Sequence, residues 1–408
     1  MPVNSNQYLQ GINQTTGTGA PVHSAVAGDR YTDTATGITY QYTTSWQTVS
    51  YSGAGGLTYF TEAQNTTAPN ATVPVDSLTA VTGTTDGDFA ILPKGAGAIL
   101  AQIPDGTITG GNKRGANAVD LQTTRTLATQ VASGNYSAII GGLNNTASGF
   151  GSFAQGTSTT ASGGYSHAEG QLGIASATGA HVEGYATQAS ASYSHAEGQS
   201  TQATSQAAHA EGVNTRATNT ASHAEGGATL ASGTYSHAEG LLSVASGTAS
   251  SVGGVSGSDF GVNTRKVFSA NNTVLGDSQS SKLILNKRTT DASSTVLSVQ
   301  DAAVSATTQL ILQNNNSIRF KGTIIARQSG STNTSAWDID GFIQRGTTAA
   351  TTTLLISNIN VVQNTPAWGT PSLSANTTLG CLTVTVTGAI TTNIQWVCVI
   401  DTAEVIYA

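Results

Sequence analysis

Between residues 134 and 254 small and large side chains alternate on a fixed step. The phrase Ser-His-Ala-Glu-Gly stands at 166–170, 194–198, 222–226 and 236–240, with variants at 180–184 and 208–212. Glycine recurs at 142, 156, 170, 184, 198, 212, 226, 240 and 254, so the step of 14 runs through nine consecutive units. A period this strict signals one small structural unit stacked on itself. Fourteen residues are too few for a helical hairpin. They suffice for two strands of about five residues and two tight turns, which is one coil of a β-solenoid. Nine coils stacked at about 4.8 Å make a rod of roughly 40 Å.

The alternation also predicts which side faces inward. Before the second-strand alanine stand Ile174, Gln188, Gln202, Arg216, Leu230 and Val244, a tolerance that marks an outward position. Its neighbours, such as Thr201/Ala203, Thr215/Ala217 and Thr229/Ala231, are small and point inward. In the first strand Ser166 and Ala168 are the small pair, and His167 and Glu169 the large one. A narrow roll takes the small pair inside. The rest form a ladder on one face: His167, His181, His195, His209, His223 and His237, with Glu169, Glu183, Glu197, Glu211, Glu225 and Glu239. Phe153 with Gln155, and Ile139 with Gly141, are expected in the same slots of the first two units. An aromatic and an aliphatic there point to a packed position. Neutral imidazole and carboxylate also bind Zn²⁺ or Ni²⁺, but six evenly spaced copies favour architecture over a metal site. No metal or other cofactor is expected.

Outside the repeat the pattern changes. Residues 263–408 alternate apolar and polar over candidate strands 267–270, 282–286, 295–299, 309–313, 317–327, 336–345, 352–362, 382–386 and 394–400. Short strands between Asn/Gly/Thr turns predict a β-sandwich or jelly-roll-like domain. Residues 1–56 hold a hairpin signal, with Tyr31, Tyr40, Tyr42 and Trp46 flanking a turn at 33–37. Residues 57–128, with strands expected at 88–92 and 98–103, read as a small β adaptor. The expected organisation is thus 1–56, 57–128, 129–262 and 263–408, all β.

Composition agrees. Only 9% of residues are charged, against about 25% in ordinary soluble proteins, and good helix formers are scarce. A net charge of −7 gives no electrostatic reason to bind nucleic acid or an anionic membrane. The start, Met1-Pro2-Val3-Asn4-Ser5, does not read as a secretory signal. Cys381 and Cys398 read as buried small hydrophobes, with a disulfide across a hairpin as the alternative. Lys113-Arg114 reads as a solvated turn. Asp338 and Asp340 share a strand face, as an acid and base pair does, but their alternation with Trp337 and Ile339 favours a plain exposed face. No Gly-x-Ser-x-Gly, nucleotide-loop or zinc-protease motif occurs, so an enzyme is not expected.

Several stretches resemble known families. The 14-residue step is similar to the head repeat of trimeric autotransporter adhesins, with His and Glu where that family has Val and Ile. Its Ser-His-Ala-Glu-Gly form resembles the repeat of phage tail fibres. Gly28-Asp29-Arg30-Tyr31 to Trp46 resembles a motif near the N-terminus of such fibres. The segments 86–95 and 110–121 resemble stretches that precede the repeat there. Residues 263–408 resemble a C-terminal β-domain of phage structural proteins through Gly276-Asp277-Ser278-Gln279, Ile325-Ala326-Arg327, Trp337, Trp368 and Trp396. The resemblance implies a homotrimeric left-handed parallel β-roll with the ladder in or near its packed interior. It implies a virion tail fibre, assembled in the host cytoplasm, that mediates attachment to the bacterial surface. The N-terminal region would meet the tail or baseplate, and the C-terminal domain a host glycan or protein. The alternatives are a bacterial trimeric surface adhesin, and a tailspike or self-cleaving fibre with hydrolase activity.

Overall fold

The computed structural model describes residues 91–270 and 274–407 and, within the first ninety, 6–9, 12–18, 29–33, 39–42, 46–48, 60–65 and 75–80. Contacts divide the chain into two units, Met1–Leu92 and Pro93–Ala408. Among the described residues the structure is all β, with helical content limited to two three-residue 3-10 turns, Val299–Asp301 and Ala349–Thr351.

The first unit holds a five-stranded sheet and a separate two-stranded ladder. Arg30–Asp33 and Thr39–Tyr42 pair antiparallel, with Tyr31 opposite Tyr40, and Trp46 lies opposite Tyr42 on the next strand. Of the turn expected at 33–37, residues 34–37 lie outside the described residues. The same holds for 88–90 of the strand expected at 88–92; Ile91 and Leu92 are not in a strand.

The second unit opens with a parallel β-solenoid of about ten turns. First strands stack on first strands, as His195 on His209 and Ala196 on Ala210, and second strands on second strands, as Gln202 on Arg216 and Ala203 on Ala217. The strands are shorter than expected. The first has two to five residues and the second only two, the remainder being turn. The stack begins ahead of residue 129, since Ile99–Leu100, Val119–Asp120 and Ala138–Ile139 pair successively in parallel.

A roll this narrow leaves room inside only for small side chains. Ala154, Ala168, Ala196, Ala210 and Ala224 of the first strand, and Ala161, Ala189, Ala203 and Ala217 of the second, are fully buried. The interior serines tie down the turn behind them: Ser166 Oγ donates to the Gly163 carbonyl at 2.7 Å and Ser194 Oγ to that of Ala191 at 2.6 Å. The interior threonines are less well served. Thr187, Thr201 and Thr215 are buried with hydroxyls that have no partner.

Two readings of the sequence need correcting. Ile139 does not share the histidine slot. The step from Ala138 to Phe153 is 15 residues, and in register Ala138 lies on Phe153, and Ile139 on Ala154. The extra residue falls between Ile139 and Gly142, so the glycine period continues while Ile139 turns into the interior, fully buried. Nor is Arg114 solvated. It is buried, its Nε 2.7 Å from Asp120 Oδ2, with Nη1 also donating to the Asn112 carbonyl at 2.9 Å. Together with Gln122, which accepts from the Asn145 amide at 2.7 Å, this pair fills the N-terminal end of the roll with polar groups bonded to one another.

The other end is closed by Asp259. Its carboxylate accepts from the amides of Ser246 (2.9 Å), Gly247 (2.8 Å) and Gly261 (2.9 Å). Ser251–Val255 of the last turn then pairs with Lys266–Ala270, which pairs antiparallel with Ser278–Thr289. That strand begins an antiparallel sheet continued by Ile394–Ile406, Asn316–Gln328, Thr334–Arg345 and Thr353–Thr365. A second, small sheet is built on Cys381–Thr387, flanked by Ser294–Val296, Leu310–Ile311 and Ser372–Asn376; the last strand is absent from the sequence reading. Leu283, Ile318, Phe320, Trp337 and Trp396 of the large sheet share one core with Leu382, Val384 and Val386 of the small one. Arg265, fully buried, joins the last turn to the chain end: Nη2 donates to Glu404 and Nε to Ser281 Oγ at 3.1 Å. Burial alone would raise the Glu404 carboxyl, but the Arg265 charge and hydrogen bonds hold it below its usual range. Cys381 and Cys398 are buried free thiols, pushed up to about 11 and about 12 by burial.

Two substitutions test this packing. At Gly198 the backbone has φ of +103°, and an added Cβ would lie 2.2 Å from the Gly212 carbonyl oxygen. Gly198→Ala is expected to destabilise by about 3 kcal/mol. Thr201→Val removes an unbonded buried hydroxyl at nearly constant shape and is expected to stabilise by about 1 kcal/mol. Thermal melting of both variants checks the pair, and a Thr201→Val protein that melts lower would contradict it.

Candidate functional site

In-register stacking places each histidine on the next. The six imidazoles form a column with ring centroids 4.6–4.8 Å apart and ring planes within 17° of parallel. Phe153 caps the N-terminal end edge-on, 4.7 Å from His167. At the other end His237 is followed in register by Ser251 and Lys266. The glutamates form a parallel column, with Glu183, Glu197, Glu211 and Glu225 directly in register. Glu211, Glu225 and Glu239 line an open groove of 490 Å³ whose floor is glycine and whose end is Phe268.

The two columns meet, but imperfectly. His167 Nε2 lies 3.3 Å from Glu169 Oε2, His237 Nε2 3.4 Å from Glu225 Oε1, and His223 Nε2 3.9 Å from Glu225 Oε2. None of these contacts has hydrogen-bond geometry. All six Nε2 atoms are shielded from solvent without a partner, although the side chains of His167, His223 and His237 remain about a third exposed. A shielded polar atom left unbonded six times over asks for a group that the single chain does not supply.

Charge follows from the same geometry. Burial, and then the neighbouring imidazoles His181 and His209, push His195 down to about 4. His181 and His223 are also lowered, first by burial and next by an adjacent histidine. Two protonated rings at this spacing would repel by roughly 1 kcal/mol in water and about 3.5 kcal/mol at an intermediate dielectric. Burial and the adjacent rings thus favour the neutral form of His181, His195 and His223.

His209, Glu211 and His223, and likewise His223, Glu225 and His237, bring possible metal-ligand atoms within 4.8 Å of one another. Parallel rings 4.8 Å apart do not converge on a single ion, because two nitrogens bound at about 2.1 Å reach at most about 4.2 Å. A shared ion would require the stack to tilt. The arrangement serves continuous stacking better than chelation.

Asp338 and Asp340 lie on the outer face of the large sheet, in an open groove of 910 Å³ with Arg319, Lys321, Asn358, Asn360 and Asp401. Asp338 accepts from Thr323 Oγ1 at 3.0 Å and Asp340 is paired with Arg319. Partial desolvation pulls Asp340 upward, but the Arg319 and Asn358 hydrogen bonds and the Arg319 charge hold it below the usual carboxylate range. It is ionised at neutral pH and does not hold a general acid's proton. Sequence reasoning found this pair but missed Arg319, Lys321 and Asp401, which only strand pairing brings alongside: Lys321 faces Asp340 on one side and Asp401 on the other. It also missed a row of exposed rings at one turn of the solenoid, although Tyr165, Tyr193 and Tyr235 stand at multiples of the same step.

No protein-family model matches the chain, and neither does any curated protein. Among solved structures it is similar to a tailspike protein, gp49 of Acinetobacter baumannii bacteriophage Fri1, a capsular polysaccharide depolymerase. That match has 11% identity and a TM-score of 0.21, and covers 84% of this chain and 75% of that one. A tailspike protein of another Acinetobacter phage shows 9% identity and a TM-score of 0.18, over 70% of this chain and 53% of that one. The depolymerase overturns the expectation of a non-enzyme. That expectation rested on missing motifs, and missing motifs speak only for the families that carry them.

The histidine column generates a pH prediction. An unfolded histidine titrates near 6.5, and His195 in the fold near 4. Between these values the unfolded chain binds more protons, so stability is full above about 6.5 and falls as pH drops towards 4. A melting temperature several degrees lower at pH 5 than at pH 7.5 is expected, with the difference reduced in His195→Asn. Superimposable melting curves would refute it.

Proposed function

We propose that the chain is a homotrimeric attachment fibre of a tailed bacteriophage, in which the solenoid is a stiff spacer and residues 263–408 contact the host surface. The observation that carries the reading is the column of six shielded, unbonded Nε2 atoms beside its column of carboxylates. A partner that completes every rung must repeat at the same axial step along the whole rod. A further copy of the chain does so. Three copies packed through this face would let the imidazoles of one meet the carboxylates of the next, in charge-assisted hydrogen bonds worth more than neutral ones. Phe153 at the end of the column suits a packed position, and so does the lowered proton affinity of His181, His195 and His223.

Attachment itself is supported by the resemblance of the Ser-His-Ala-Glu-Gly array, and of the segments around it, to phage tail fibres. The first unit would then bind the tail or baseplate, and the protein would reside in the virion tail. On the large sheet, the groove between Arg319, Asp338, Asp340, Asn358 and Asp401 offers the mixed carboxylates, amides and cations that recognise sugar hydroxyls.

Sedimentation of the purified chain at pH 7.5 is expected to give three times 41.2 kDa. Glu197→Lys with Glu211→Lys is expected to reduce it to single chains. A monomeric wild-type protein would sink the trimer. Labelled full-length protein is expected to bind intact bacteria of a susceptible strain. Following the size of their released polysaccharide in the same samples reads chain cleavage directly.

A further inference from the structure

The solenoid carries a second regular feature, on the turn that precedes the His/Glu strand. Tyr136, Phe150, Tyr165, Tyr193 and Tyr235 project from this turn and are 48–65% exposed. Tyr136 packs edge-on against Phe150, and Phe150 against Tyr165, each with centroids 5.4 Å apart.

These rings are not needed to close the turn. The tyrosines sit at positive φ, and the equivalent positions in other coils are Gly179, Ala207, Ala221 and Ala249, also at positive φ. The backbone bonds are the same with or without a ring. Tyr193 N donates to the Thr178 carbonyl at 2.9 Å and Tyr235 N to that of Thr220 at 3.0 Å, while Ala207 N donates to that of Ser192 at 3.1 Å and Ala221 N to that of Gln206 at 2.9 Å. Nor do the rings fill the core, which is alanine. Large aromatic side chains held in water on a rigid scaffold, with no structural task there, mark a binding surface.

We propose that this turn is a binding track for an extended, uncharged polysaccharide running parallel to the rod axis. The C–H faces of pyranose rings pack on aromatic rings, and successive coils here advance by 4.6–4.8 Å, as the histidine stack shows. That advance is close to the rise of one sugar unit in an extended chain. Rings on neighbouring or alternate coils therefore meet successive or alternate sugars in register. The coils without a ring carry Thr178, Gln206 and Thr220 just before the vacant position, and these side chains bond sugar hydroxyls. The turn residues from 134 to 136, 149 to 151, 163 to 165, 177 to 179, 191 to 193, 205 to 207, 219 to 221 and 233 to 235 carry no charge, which selects against a densely anionic chain. The proposal draws on the attachment reading only for the source of the polysaccharide. The track is separate from the ladder face and from the groove on the large sheet.

Affinity electrophoresis of the full chain through gels containing galactomannan or hydroxyethylcellulose tests it. Retardation is expected in at least one gel. Tyr165→Ala and Tyr193→Ala, substitutions the fold already accepts at 207 and 221, are each expected to weaken binding by about tenfold or more, with melting temperature and oligomeric mass unchanged. No retardation in either gel, or retardation that survives both substitutions, would overturn the proposal. A change of oligomeric mass in either variant would also overturn it, by showing that the rings cover a second copy of the chain. Loss of sugar binding with intact trimers, or intact sugar binding in a monomeric chain, separates this inference from the proposed function.

Discussion

A parallel stack in register forces every side chain to lie on its own counterpart one coil away, less than 5 Å distant. The rest of the solenoid follows from that constraint. Backbone amides and carbonyls satisfy one another between coils. The interior is so narrow that alanine fills it and an added methyl group has nowhere to go. At Gly198 the next coil's carbonyl occupies the place of a Cβ, so the glycine column is a condition of the stacking distance itself.

The same constraint is harder on polar and charged groups. Identical neighbours bring like to like, so a protonated histidine would sit on a protonated histidine. The fold lets the rings stack, with the neutral form favoured at His181, His195 and His223, which leaves Nε2 shielded and unbonded along the column. The two ends have no further coil to bond to, and there the chain abandons repetition. Arg114 and Asp120 fill one end, and Asp259 caps the other with four donated hydrogen bonds from the turns around Ser246 and Gly261. Arg265 and Glu404 then tie the last coil to the final strand of the chain, so the antiparallel sheet grows from the edge of the parallel one.

Three faces follow for contact with other molecules. The ladder is periodic, charged and incompletely bonded, and suits a partner of the same period. The turn carrying Tyr165 and Tyr193 is periodic, uncharged and exposed, and suits a repeating polymer. The outer face of the large sheet is not periodic. Its groove depends on Lys321, Asp340 and Asp401 meeting across three strands.

Much of this was legible in the sequence where the physics is local or repeated. Glycine every 14 residues implied the coil, small Ser/Ala/Thr positions implied the interior, and the alternation after residue 263 located most strands. Tertiary structure decided what depends on register or on distant residues. One inserted residue before Gly142 turned Ile139 inward and left Phe153 alone at the end of the histidine column. The burial of Arg114 needed the chain to turn back and bring Asp120, 6 residues on, against it, and that of Arg265 needed Glu404, 139 residues away. A repeat shows its period in the sequence because every coil obeys the same local rule. Its ends, its insertion and the groove on the large sheet obey no such rule, and they exist only once the chain has folded back on itself.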